Sequence, residues 1–203
     1  MPPFLEVSDL ACRRGGRPVF ADLSFTLAAG EVLALTGRNG AGKTTLLRAL
    51  ALLAPAESGA IRWQGADVKA DRDSWHGQLA WLGHLDGLKG DLTVRENLQV
   101  AGRLRGADRP LENALRTYDL AALADRPVRT LSAGQRRRCA LVRVAASGAP
   151  LWLLDEPLNA LDAPAQAALR AALAVHLGAG GLAIAATHAP LDVPGARTLE
   201  LGA

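Results

Sequence analysis

Apolar and polar positions change rhythm several times along the chain. Phe4-Leu5-Glu6-Val7 and Leu23-Ser24-Phe25-Thr26-Leu27 alternate or run apolar on either side of a Gly-Gly pair at 15–16, as two strands joined by a turn would. Glu31–Thr36 is almost continuously apolar, the mark of a strand buried on both faces. A glycine-rich stretch follows, then helical spacing over Thr44–Leu53 that Pro55 is expected to end. Ser58–Trp63 reads as a turn entering another strand. From Thr93 to about Leu123 the spacing is helical, with Leu98, Leu104 and Leu111 among polar residues. Ser132 stands at an N-cap position for a helix running through Arg143. Pro150 opens a strand over Leu151–Leu154, and a helix over Pro164–Leu177 and a strand over Leu182–Ala186 complete the pattern. Strands flanking a helical insert predict an α/β core interrupted by a helical subdomain.

Composition narrows this little further. Of 203 residues, 49% are apolar and 21% charged, which excludes a disordered chain. Cys12 and Cys139 lack any metal-ligand spacing and are expected as reduced, buried thiols of a cytosolic protein. The uncharged stretch Ala171–Leu191 has bilayer length, but its glycines, two histidines and Pro190 divide it into helix, turn and strand. The opening MPPFLEVSDL lacks a charged segment followed by an apolar one, so no signal peptide is expected. Net charge is +3, with arginine outnumbering lysine 20 to 3. Lys89–Arg143 holds 12 basic and 6 acidic residues against 11 and 14 elsewhere, so this segment suits an anionic partner or membrane surface. Nucleic acid is not expected, since no aromatic stacking pattern accompanies the charge.

Three short segments carry chemistry. Gly37-Arg38-Asn39-Gly40-Ala41-Gly42-Lys43-Thr44 has the G-x-x-x-x-G-K-[ST] spacing of a P-loop, after a buried strand and before a helix. Small residues let backbone N–H groups turn inward around phosphate, and the helix N-terminus adds partial positive charge. Lys43 offers a point charge for the terminal phosphates and Thr44 a hydroxyl for Mg²⁺. Leu151–Leu154 leads into Asp155-Glu156, two carboxylates at the end of an apolar strand, where open α/β sheets bind ligands. Asp155 is expected to hold Mg²⁺ through its water shell, and Glu156 to polarise an attacking water. Leu131-Ser132-Ala133-Gly134-Gln135 opens a helix shortly before them.

With Leu161-Asp162 and with His188 after an apolar strand, these segments resemble the ABC-transporter ATPase family over nearly the whole chain. The resemblance maps Gly37–Thr45 onto Walker A, Ser132–Gln135 onto the signature, Leu151–Glu156 onto Walker B, Asn159–Asp162 onto the D-loop and His188 onto the switch histidine. It implies a RecA-like P-loop core (1–87 and 141–203) with an antiparallel β subdomain, and an inserted helical signature subdomain over 88–140. It also implies ATP and Mg²⁺, and a head-to-tail homodimer in which Ser132 and Gly134 of the partner subunit close over the γ-phosphate. Multi-span membrane subunits are expected partners, with the chain peripheral on the cytoplasmic side of a bacterial inner membrane.

Two positions depart from the family pattern. The aromatic that stacks on adenine falls on Arg14, with Arg13 beside it; a guanidinium serves that role weakly. The Q-loop glutamine falls on Leu85, so either His84 or Asp86 supplies a polar contact there, or coupling proceeds without one. Trp81-Leu82-Gly83-His84, Gly87-Leu88-Lys89, the run from Leu131 to Arg138 and Ala149–Pro157 are similar to the haem-exporter ATPases of bacterial cytochrome c maturation. The alternatives are an ATPase of another small-molecule or lipoprotein transporter, or a soluble non-transport ABC ATPase. The tandem domains, coiled-coil insertion or zinc hook of the latter are not seen.

Overall fold

The computed structural model describes residues 4–103 and 111–202. Its strands are β1 (Leu5–Arg14), β2 (Arg17–Leu27), β3 (Val32–Thr36), β4 (Ser58–Trp63), β5 (Ala66–Asp67), β6 (Leu79–Leu82), β7 (Leu151–Asp155), β8 (Leu182–Ala186) and β9 (Arg197–Glu200). Its helices are α1 (Lys43–Leu50), α2 (Arg72–Gln78), α3 (Val94–Arg103), α4 (Glu112–Thr117), α5 (Ala133–Ala145) and α6 (Ala163–Gly178). One sheet is antiparallel, ordered β2-β1-β4-β5, and the other is parallel, ordered β6-β7-β8-β3-β9.

The parallel sheet separates two cores, and alternation along each strand decides which core a side chain enters. Trp152, Leu154, Ala183, Ala185, Val32 and Ala34 join α3, α5 and α6 on one face. Leu151, Leu153, Leu182, Ile184, Leu33 and Leu35 meet α1 and the antiparallel sheet on the other. Trp152 lies in register with Ala183 on the neighbouring strand, and both side chains are buried in the same core. The same indole stacks on His176 of α6, ring centroids 4.0 Å apart. Cys12 and Cys139 are free and buried.

Several expected boundaries move. The helix expected over Thr44–Leu53 ends at Leu50 instead. Leu52 takes φ 54°, and the N–H groups of Leu53 and Ala54 fold back onto the Arg48 carbonyl, satisfying the helix end before Pro55 is reached. The helical pattern of 93–123 divides into α3, α4 and a 3₁₀ turn at Ala121–Leu123, with Asp119 at φ 52° after α4; Leu104 lies outside the described residues. β5, α2 and β9 carry too few apolar positions to announce themselves. α5 runs across residue 140 and on to Ala145. The Ala171–Leu191 stretch resolves into the end of α6, a turn at Gly180 and β8. Among the described residues no helix is long and apolar enough to cross a membrane.

Candidate nucleotide site

β3 delivers the chain to the loop Gly37–Gly42, and Lys43, Thr44 and Thr45 open α1. Glycine is required at two points. At Gly37, φ 128°, an added Cβ would stand 2.4 Å from the Leu201 carbonyl oxygen. At Gly42, φ 104°, it would stand 2.5 Å from Val19 Cγ1. No side chain caps α1, so the first turn is not closed off by the chain's own acceptors and suits an anion. Lys43 Nζ curls back inside the loop, donating to the carbonyls of Gly37 at 2.8 Å and Arg38 at 3.2 Å.

The ends of β7 and β8 supply the other side. Thr44 Oγ1 donates to Asp155 Oδ1 at 3.0 Å, and the Asp155 side chain is buried. A hydroxyl and a carboxylate oxygen side by side fit Mg²⁺, which takes few protein ligands and keeps water and phosphate oxygens for the rest. Glu156 follows at φ 48°, a left-handed turn that a non-glycine residue adopts only under constraint. Its Oε1 lies 3.3 Å from His188 Nε2, which is itself 3.3 Å from Lys43 Nζ. One ring nitrogen cannot serve both neighbours: bare, it accepts from Lys43; protonated, it donates to Glu156. Thr187 Oγ1 bonds the carbonyl and the N–H of Ala189, fixing the turn that carries His188. Lys43, Thr44, Asp155, Glu156 and His188 thus form one connected polar edge.

The Ser132–Gln135 segment belongs to a second constellation. Ser132 Oγ accepts from the Gln135 N–H at 3.2 Å, and Gln135 Oε1 accepts from the Ser132 N–H at 2.9 Å. This reciprocal box ties down the start of α5, with Ala133 as its first residue. Gly134 faces the chain at Ala160: a Cβ there would sit 3.3 Å from the Ala160 carbonyl oxygen. Asp162 caps α6 through the Ala165 N–H. Ser132, Gly134, Gln135 and Ala160–Asp162 share a cleft of about 180 Å³.

The two departures have definite places. Arg14 is exposed at the end of β1, opposite Arg17 in the hairpin, whereas Arg13 donates to the Gly16 carbonyl and pairs with Glu57. Leu85 is 83% exposed, and His84 is exposed beside it. Asp86 turns its carboxylate toward Arg137 Nη1, 3.5 Å away. Arg137 itself was hidden in the sequence among a row of arginines. It is buried, and Nη2 donates to the carbonyls of Asp155 at 2.8 Å and Glu156 at 2.7 Å, while Nη1 donates to Gly83 at 2.9 Å. Only its place five residues after Ser132 on an α5 face turned to the sheet could have singled it out.

Residues 20–159 match the family model described as ABC transporter. A cytochrome c biogenesis ATP-binding export protein CcmA from Nitrosococcus oceani is 46% identical over 201 residues, covering 99% of this chain and 93% of that protein. Its namesake from Rhodospirillum rubrum is 45% identical over 201 residues, covering 98% and 86%. A solved ATP-binding subunit of an ABC transporter superposes with TM-score 0.85 at 28% identity, over 91% of this chain and 80% of that one. A Pyrococcus furiosus ATP-binding protein, 23% identical with TM-score 0.83, covers 97% and 96% and shares the fold.

Proposed function

The chain belongs to the ABC transporter family, and from that premise we propose that it is the ATP-hydrolysing subunit of a membrane export complex serving cytochrome c biogenesis. The observation that carries the reading is the polar edge in which Lys43, His188 and Glu156 meet beside the Thr44–Asp155 pair. The name borne by relatives 45% and 46% identical over nearly the full length supports the biological role.

On ATP binding, Lys43 exchanges the Gly37 and Arg38 carbonyls for phosphate oxygens, and the first turn of α1 donates its N–H groups. Thr44 and Asp155 would hold Mg²⁺, which when bound neutralises charge on the phosphate chain. Glu156 orients the attacking water and takes its proton, and His188 donates toward the γ-phosphate. Arg14 stacks on the base. Ser132 and Gly134 of the partner subunit cover the γ-phosphate in a head-to-tail homodimer. The helical unit over 88–140, with its basic surplus, meets multi-span membrane subunits on the cytoplasmic side of the inner membrane.

Two measurements test this. In a bacterium deleted for its own CcmA, the chain is expected to restore haem-staining c-type cytochromes, and its Glu156→Gln form is not. Tagged chain drawn from solubilised membranes is expected to bring multi-span proteins with it. Failure to restore c-type cytochromes, with membrane partners still recovered, would redirect the reading to another ABC transporter.

A further inference from the structure

We propose that Arg137 is a positioning residue that ties the 83–86 segment, exposed at His84 and Leu85, to the backbone carrying the catalytic carboxylate; the proposal rests on the ATPase reading above. Its guanidinium reaches two separate segments of the chain. From α5 it bonds Gly83 and faces Asp86 after β6, and it bonds Asp155 and Glu156 at the end of β7.

The chemistry explains why an arginine stands there. A left-handed residue at the end of a strand turns successive carbonyl oxygens to one side, and Glu156 at φ 48° does this beside Asp155. Both carbonyls accept from the single Nη2, so the charge-assisted bonds hold the turn that sends the Glu156 side chain toward His188. The other nitrogen of the fork, Nη1, holds Gly83 and Asp86. A lysine offers a point charge and a glutamine two short donors, so neither spans both groups. A second arginine reinforces the exposed side: Arg143 Nη2 donates to the carbonyls of Trp81 and Asp86. Leu85, exposed between them, is the knob of a braced segment. Displacing the segment moves Gly83 and Asp86, and the guanidinium carries that displacement to the Asp155–Glu156 backbone, from which the Glu156 side chain reaches His188.

The test uses the full chain alone and in the solubilised membrane complex recovered with it. In Arg137→Gln, kcat for ATP is expected to fall 10- to 100-fold with KM and binding of a non-hydrolysable ATP analogue within about threefold. Stimulation by the membrane complex is expected to drop to a ratio near 1, and Arg137→Lys to recover part of kcat but little stimulation. A residue with a purely structural role would lower basal and stimulated rates together and leave their ratio intact, and that result overturns the proposal. Should Arg137→Gln fail to fold, Asp86→Ala removes the side-chain acceptor at the other end of the tie. Loss of stimulation at unchanged KM then supports the proposal, and wild-type stimulation overturns it. A wild-type chain without ATPase activity would overturn the functional reading itself, a result separable from both.

Discussion

Two helices in this chain, α1 and α5, begin at segments proposed to meet the same phosphate, and their first turns are finished differently. α1 starts at Gly42 in a left-handed conformation with no side-chain cap, and its own lysine occupies the loop. α5 starts at Ser132 with a complete capping box and packs its glycine against Ala160. A P-loop helix must leave N–H groups open, because phosphate is their acceptor. A helix proposed to meet a nucleotide held by another subunit must hold its shape meanwhile, and the Ser132–Gln135 box ties down its first turn. On the proposed function the two ends divide the labour: the uncapped end collects the ligand, and the capped end is held ready to meet it.

The comparison can be broken at four points. On the α1 side, Glu156→Gln is expected to lower single-turnover hydrolysis at least 100-fold while ATP binding persists; loss of binding with hydrolysis would mean that Glu156 holds nucleotide rather than water. On the α5 side, Gly134→Asp adds a carboxylate and a Cβ that must press on Ala160. ATP-driven dimerisation, followed by sedimentation, is expected to weaken at least tenfold with monomer ATP affinity within about threefold. An equal loss in both would remove the distinction between the two helix ends.

The body of α5 and the end of α4 give a third point, through pH. Burial pushes the Cys139 thiol up to about 12 and the Tyr118 hydroxyl up to about 12. Both are neutral when folded, whereas the unfolded chain releases these protons from near pH 9 and 10. Stability from these groups is therefore whole below pH 9 and is lost as pH rises toward 12, with a slope of up to about 1.4 kcal/mol per pH unit for each proton. Denaturant titrations from pH 8 to 11 check this, and Cys139→Ala is expected to flatten the fall. The smallest effect is at the base: Arg14→Ala is expected to weaken ATP binding about two- to fivefold, as one exposed stacking contact allows, and unchanged affinity would end its assignment.

How far the sequence was legible depends on whether a residue's role is local. Leu182–Ala186 was readable as a strand to the residue because an apolar run lies between a glycine pair and a histidine, and β8 has those bounds. The P-loop, Asp155-Glu156 and Ser132 were readable because turn chemistry and capping act over a few positions. The end of α1 was misread because Pro55 is a visible stop, whereas the left-handed Leu52 that ends it is not. β9 was missed because Arg197–Glu200 carries one aliphatic side chain and exists through pairing with β3. Arg137 was missed for the same reason: a buried arginine is defined by acceptors 18, 19 and 54 residues away, on elements that only the fold unites.

The Trp152–Ala183 neighbours set a condition on how related sequences can drift. Trp152 stands beside Ala183 on one face of the sheet and stacks on His176, so enlarging Ala183 alone crowds the core and shrinking Trp152 alone empties it. Substitutions at the two positions must therefore travel together, with the summed volume kept nearly constant. In an alignment of this lineage, 152 and 183 should covary more tightly than either does with the nucleotide-binding motifs.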